Sequence, residues 1–326
     1  MAQNYVKAVT KQRKNLFFFR RKAACSLYFR EISGTFVNEK KYGIMLKRRG
    51  IDILLFAVVL MFAVSMVNRS RDMGDSAKKS TSTVENSEPS SQTSGLTITE
   101  YMLTVKGAKD AMLLRRLGYT AGYSKEWRCP VWVAWELTEP HTTGEYSRKG
   151  VSYHEDYDVP APRATNADYS RSGYDRGHMC PSGDNKWSSR AQEECFLFTN
   201  MCPQSHNLNG GDWNDLEMKC RTWAKRYGYI YIICGPVFKG DRPSRTIGQN
   251  KVWVPDGFYK VVMRTGGDDE SAAIGFYYDN EDGHRPMSEY VCTVDEIEEM
   301  TGLDFFSGLN DKTESRIEAT ASLRQW

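Results

Sequence analysis

Asp175-Arg176-Gly177-His178 sets a histidine beside a carboxylate and a guanidinium. About thirty residues later, Asn209, Trp213, Glu217 and Arg221 follow one another at steps of four. On a helix such residues lie about 40° apart around the axis, so an amide, a carboxylate and a guanidinium can share one flank. This combination suits metal-assisted hydrolysis of a phosphodiester. A hard cation such as Mg²⁺ prefers oxygen ligands and keeps several waters, so one amide oxygen with a carboxylate nearby is sufficient protein ligation. A neutral imidazole can deprotonate the attacking water while an arginine offsets charge developing on the phosphate. The same residues have plainer uses: Asn209 as a helix N-cap, and Glu217 with Arg221 as an i,i+4 ion pair. A tetrahedral zinc site at His178-x-Cys180 and Cys202-x-x-x-His206 has the right donor types but not the usual closely spaced cysteine pair.

The strings YDRGHM (174–179) and TNMCPQSHNLNGGDWNDLE (199–217) together closely resemble the DNA/RNA non-specific endonuclease family, which includes Serratia-type nucleases and mitochondrial endonuclease G. The resemblance extends upstream to 163–169, downstream to YIICGP (231–236), and on to TGLDFF (301–306). It covers most of residues 98–310 and none of the first 97. It implies an α+β domain of the ββα-metal (His-Me finger) type, built on a central mixed or antiparallel sheet with flanking helices. It further implies His178 as general base, Asn209 as the direct protein ligand of Mg²⁺ (Mn²⁺ as a substitute), and Glu217 as the carboxylate holding the metal's hydration water. Arg221 matches a helix arginine near the phosphate. Asp175 and Arg176 belong to the motif, Arg176 as a phosphate contact. Asn200 matches an asparagine near the metal shell, and Arg148, ahead of Tyr153-His154-Glu155-Asp156, corresponds to a transition-state arginine. DNA and RNA are the implied substrates.

The elements that must position these residues are legible in outline. Alternation or short apolar runs predict strands over 130–137, 196–201, 229–234, 258–263 and 272–278. Apolar side chains at Trp213, Leu216, Cys220, Trp223, Ala224 and Tyr227 predict a helix over 212–227. Thr293 with Glu296 three residues on has capping-box spacing and predicts a second helix over 293–301. Strand, strand and helix around His178 would form a short finger.

The remaining sequence bounds the setting. Hydrophobic residues make up 40% and aromatics 12% of 326 residues, which suits a globular core and excludes a disordered chain. The net charge of +3 hides an asymmetry. Residues 1–97 carry 17 basic and 7 acidic side chains, a surplus of ten; the remainder carries 27 and 34, a deficit of seven. Nucleic-acid binding by residues 98–326 therefore needs a local basic patch or a cation. Residues 51–67 are apolar and follow Lys47-Arg48-Arg49, as in a signal anchor or signal peptide with the following chain outside the cytoplasm. On this reading the domain is anchored in the cytoplasmic membrane, secreted or periplasmic. Residues 1–50 form a basic segment, and Met45 has the context of a true start. Residues 68–97, rich in Ser and Thr, read as a flexible tether to a domain over 98–326. Of eight cysteines, seven lie in that domain, and Cys180, Cys202, Cys220 and Cys234 flank the proposed site, so one or two disulfides are expected there. Two other functions remain open: a nucleotide phosphodiesterase or pyrophosphatase on the same site, and an inactive membrane-tethered binding module.

Overall fold

A computed structural model describes residues 103–266 and 270–326, within the compact unit Ser94–Trp326. The segments read as basic tail, signal anchor and tether lie outside the described residues. Among the described residues no helix is long and apolar enough to cross a membrane.

In chain order, β1 (Met112–Arg115), β2 (Thr120–Ser124) and β3 (Cys129–Thr138) are followed by α1 (Glu139–Thr143) and α2 (Asn166–Tyr169). Next come β4 (Asp175–His178), α3 (Ser189–Glu194), β5 (Met201–Gln204), α4 (His206–Gly210), α5 (Asp212–Tyr227) and β6 (Tyr229–Val237). The chain continues through β7 (Thr246–Ile247), β8 (Val252–Trp253), β9 (Gly257–Arg264), β10 (Ala272–Asp279) and β11 (Val291–Cys292) to α6 (Val294–Thr301) and α7 (Asp311–Glu318). Seven strands form one sheet in the order β1-β2-β3-β6-β9-β10-β11, and every pairing in it is antiparallel. With its flanking helices this is the expected α+β architecture.

The central strands are apolar almost throughout because both faces of the sheet are covered. Alternate residues divide between two cores. Ile230, Ile232, Phe258, Val262, Ile274 and Phe276 join Trp213 and Trp223 of α5 on one side. Tyr231, Ile233, Tyr259, Val261 and Met263 meet Ile297 of α6, Phe305 and Ile317 of α7 on the other. Helix α5 buries Trp213, Leu216, Cys220, Trp223 and Ala224, the steps of three and four expected of its inner stripe. Asp212 and Asp215 at its start and Lys225 and Arg226 at its end complement the helix dipole, and Gly228 at φ 86° ends it. Helix α6 has the anticipated capping box: Glu296 N donates to Thr293 Oγ1 at 3.1 Å, and Thr293 N donates to Glu296 Oε2 at 2.9 Å.

Three sequence expectations are corrected. Residues 196–201 are not a strand: Phe198–Asn200 form a single 3-10 turn, and the strand begins at Met201. All six side chains there are buried, so their apolar run carried no alternation by which to judge it. Asn209 is not on the long helix and does not cap it. It lies in α4, which Gly211 separates from α5 with a backbone (φ −108°, ψ −111°) outside the helical region. The expected disulfides are not formed. Among the described residues none of the seven cysteines is in a disulfide; all are buried and behave as small apolar residues, several with hydrogen bonds of their own. Cys234 Sγ donates to Met179 O at 3.3 Å and Cys195 Sγ to Gln192 O at 3.1 Å, while Cys180 Sγ accepts from Asn185 Nδ2 at 3.3 Å.

Candidate active site

Strand β4 pairs with β5 as a separate two-stranded ribbon, His178 opposite Met201 and Asp175 opposite Gln204, and α4 and α5 follow directly. This is the anticipated strand-strand-helix finger. Trp213 of α5 fastens it by donating from Nε1 to His178 O at 3.3 Å. A side chain at Gly177 would collide with the buried Gln204 on the partner strand, so β4 and β5 approach this closely only with glycine there.

Period-two alternation sends the DRGH residues to two sides. Arg176 and His178 both meet Tyr153, the guanidinium carbon 5.3 Å and the imidazole centroid 5.6 Å from its ring centroid. Phe196 packs edge-on against His178 at 4.8 Å. Arg148 joins them, 5.7 Å from the Phe196 centroid and donating from Nη2 to Tyr153 Oη at 3.4 Å. Tyr153 and Phe196 thus gather Arg148, Arg176 and His178, a local basic group in a domain of negative balance. Arg176 is also held by Asn166, whose Oδ1 accepts from Nε at 2.9 Å.

His178 is 9% exposed, and its Nε2 is buried with no hydrogen-bond partner. Burial first, and the charge of Arg148 second, push its pKa down to about 3. The imidazole is therefore neutral at ordinary pH.

Asp175 faces the other way. Its Oδ2 accepts from Asn209 Nδ2 at 2.9 Å and lies 2.9 Å from His206 Nδ1. This contact orients the Asn209 amide, whose Oδ1 accepts no hydrogen bond among the described residues. On α5, Arg221 is clamped between two carboxylates: Nε donates to Asp184 Oδ1 at 2.6 Å and Nη2 to Glu217 Oε2 at 3.3 Å. The i,i+4 pair is present, then, but as part of a larger network. Asp184, itself buried, also accepts from Trp135 Nε1 at 3.1 Å. Gly183 makes room for the guanidinium, which a Cβ there would strike. Burial raises the Glu217 pKa to about 6, against the opposing pull of Lys260 and Arg221.

Asn200 is fully buried, and its amide braces backbone. Its Oδ1 accepts from Cys180 N at 2.9 Å, and its Nδ2 donates to Cys180 O at 2.9 Å and Cys195 O at 2.8 Å. Met179 N also donates to Asn200 O at 3.0 Å. In the structure Asn200 thus fixes the chain just after His178. His178, Cys180, Cys202 and His206 form no metal-ligating group among the described residues.

Three contributors escape the motif reading: Tyr153, Asp184 and Lys260. Lys260 is fully buried, its Nζ 4.2 Å from the Trp213 centroid and 5.5 Å from that of Trp135. Burial opposes its charge, yet its neighbours, Cys234 and Glu217 first, hold its pKa above the ordinary value. The sequence held one signal for it: a lysine between Phe258 and Val262 on the inward row of an apolar strand.

The oxygen donors suit a hydrated hard cation. Asn209 offers an amide oxygen, and Glu217 a carboxylate that Arg221 engages through Oε2.

The sequence model of the DNA/RNA non-specific endonuclease family matches residues 97–312. Mitochondrial nuclease EXOG from Xenopus laevis is 36% identical over 212 residues, covering 60% of this chain and 58% of its own. The human protein of that name is 33% identical over 212 residues, covering 61% of this chain and likewise 58% of its own. The chain thus spans less than two thirds of these relatives. Mitochondrial endonuclease G from Bos taurus is 32% identical over 222 residues, with 65% and 74% covered. The crystal structure of an EndoG/EndoGI complex, described as showing the mechanism of EndoG inhibition, superposes with a TM-score of 0.58 at 30% identity, covering 62% of this chain and 88% of that one. The family model matches more than half of the chain, and the chain belongs to the DNA/RNA non-specific endonuclease family.

Proposed function

We propose that this chain is a metal-dependent endonuclease hydrolysing phosphodiester bonds of both DNA and RNA. The observation that carries the reading is His178: a neutral, buried imidazole with an unpartnered nitrogen, on a finger whose next helices bring Asn209 and Glu217. Arg148 and Arg176 receive the phosphate, and His178 takes the proton of the attacking water. A phosphodiester seated against Arg148 offsets that arginine's charge, so the imidazole becomes more basic as substrate binds. Arg221, fixed by Asp184 and Glu217, contributes positive charge where the transition state gains negative charge. Asn209 and Glu217 would hold Mg²⁺, with Mn²⁺ as a substitute; when bound, the cation polarises the phosphate and neutralises its charge. Reading phosphate and not base edges gives low sequence specificity.

The test is nicking of plasmid DNA and cleavage of RNA with Mg²⁺ or EDTA, in the native chain and in His178→Ala and Asn209→Ala. Activity should require the metal and fall by about 10²–10⁴ in His178→Ala. Unchanged cleavage in that variant would refute the mechanism.

The N-terminal residues extend the proposal to location. Residues 51–67, after a basic run, serve as a signal anchor or signal peptide that displays the domain outside the cytoplasm. A C-terminal topology reporter active only in the cytoplasm would contradict this.

A further inference from the structure

The face of the sheet opposite His178 carries a second concentration of charge. Residues of α6, α7 and the loop between them enclose a cleft of about 430 Å³. Asp295, Asp304, Asp311, Glu314 and Glu318 line it, and Lys106 is the only basic side chain among the described residues lining it. Lys106 is mostly exposed and reaches Asp304 at 3.6 Å. Carboxylate oxygens of Asp295, Glu298 and Glu318 lie within 4.8 Å of one another.

Surface acids often cluster without purpose. Glu318 differs from them because it is only 4% exposed, and its Oε1 is buried without a hydrogen-bond partner. Two more buried oxygens of the same cleft, Asp304 Oδ1 and Ser307 Oγ, also lack partners. A buried carboxylate is ordinarily paired or bound to a metal. Among the described residues no arginine or lysine pairs with Glu318, whose carboxylate instead sits beside two others. Glu298 is oriented from behind, its Oε1 accepting from Phe305 N at 2.7 Å.

We propose that Asp295, Glu298 and Glu318 form a divalent-cation site for Ca²⁺, separate from the proposed active site and joining α6 to α7. Ca²⁺ takes roughly 6–8 oxygens at about 2.3–2.6 Å in irregular geometry, so ligands across the ion stand about 4.6–5.2 Å apart. Oxygens no more than 4.8 Å apart can share one such ion. Mg²⁺ demands near-ideal octahedral geometry and sheds water reluctantly, which three carboxylates drawn from two helices serve less well. The open cleft admits waters for the remaining positions. The role is structural: the ion ties α7 to α6, which packs on β10.

The test is calorimetric titration of the full chain carrying Asn209→Ala, so that the proposed catalytic position does not contribute, with CaCl₂ and separately MgCl₂. One Ca²⁺ per chain should bind in preference to Mg²⁺, with Tm rising by several degrees at saturation. Adding Glu318→Gln, nearly isosteric, should weaken Ca²⁺ binding at least about tenfold. Asp295→Asn, at an exposed position, should weaken it too and serves where Glu318→Gln perturbs folding. No Ca²⁺ heat and no Tm shift, the result for a cleft that only shares protons, would overturn the proposal. So would unchanged Ca²⁺ binding in a natively folded Asp295→Asn variant.

Discussion

Asn209 Nδ2 donates to Asp175 Oδ2 at 2.9 Å, linking the first residue of the histidine strand to the amide assigned to the metal. On the proposed reading Asp175 is a positioning residue for Asn209. Asp175→Ala should leave the fold intact and raise the Mg²⁺ concentration needed for half-maximal cleavage by about 10–100-fold. Asp175→Asn, which keeps an acceptor oxygen, should show a smaller increase. Equal Mg²⁺ requirements in all three proteins would dissociate Asp175 from the metal.

His178 makes stability depend on acid. Its folded pKa, about 3, lies below the free value of 6.5, so the unfolded chain binds the extra proton between those values. The stability present above pH 6.5 is progressively lost as pH falls toward 3. Against a His178→Gln variant, the native protein should lose relative stability across that window in denaturant titrations. Arg148→Ala removes the second cause of the shift and should raise the imidazole pKa measured by NMR, while burial keeps it below 6.5. An unmoved resonance titration in Arg148→Ala would remove Arg148 from the site.

Lys260→Met keeps the volume and removes the charge. Lys260 is the leading influence lowering the Glu217 pKa, so that pKa should climb above about 6. Cleavage should then fall more at pH 6 than at pH 8, since Glu217 acts ionised. Parallel pH profiles would show that Lys260 serves packing only. Lys260→Ala adds a cavity and leaves Asp184 and Glu217 less compensated, and should cost about 3–5 kcal/mol in stability.

With no disulfide among its described cysteines, the domain should be indifferent to reductant. Tm with and without dithiothreitol should agree within about 1 °C, since a lost bridge would cost about 2–5 kcal/mol. Alkylation in denaturant without reductant should label all seven cysteines from Cys129 to Cys292. A mass short of that would indicate a bridge.

The periodic elements were legible in the sequence because burial imposes repeats: α5 and α6 have the ranges that apolar spacing and the Thr293 box require. What failed depended on tertiary context. Phe196 to Met201 is buried on every side, so no alternation marked where turn gave way to strand. The separation of Asn209 from α5 rests on the backbone of Gly211, whose neighbours continue a helical spacing. In the candidate site, Glu217 and Arg221 keep the step of four that the sequence shows, and both lie on α5. Asp184 and Tyr153 join them only through folding, and nothing in their own segments advertises it. The cysteines misled because spacing does not record whether two sulfurs meet.

Strand β9 serves both layers at once. Phe258, Lys260 and Val262 belong to the side of His178, while Tyr259, Val261 and Met263 belong to the side of the acidic cleft. Substitutions can thus tune either surface independently, since no residue is shared. Insertion or deletion of a single residue in this strand is different in kind. It would turn Lys260 toward Phe305 and Ile297 and put a hydrocarbon side chain beside Glu217, damaging two remote places in one event. The strand should therefore tolerate change of letter far better than change of length.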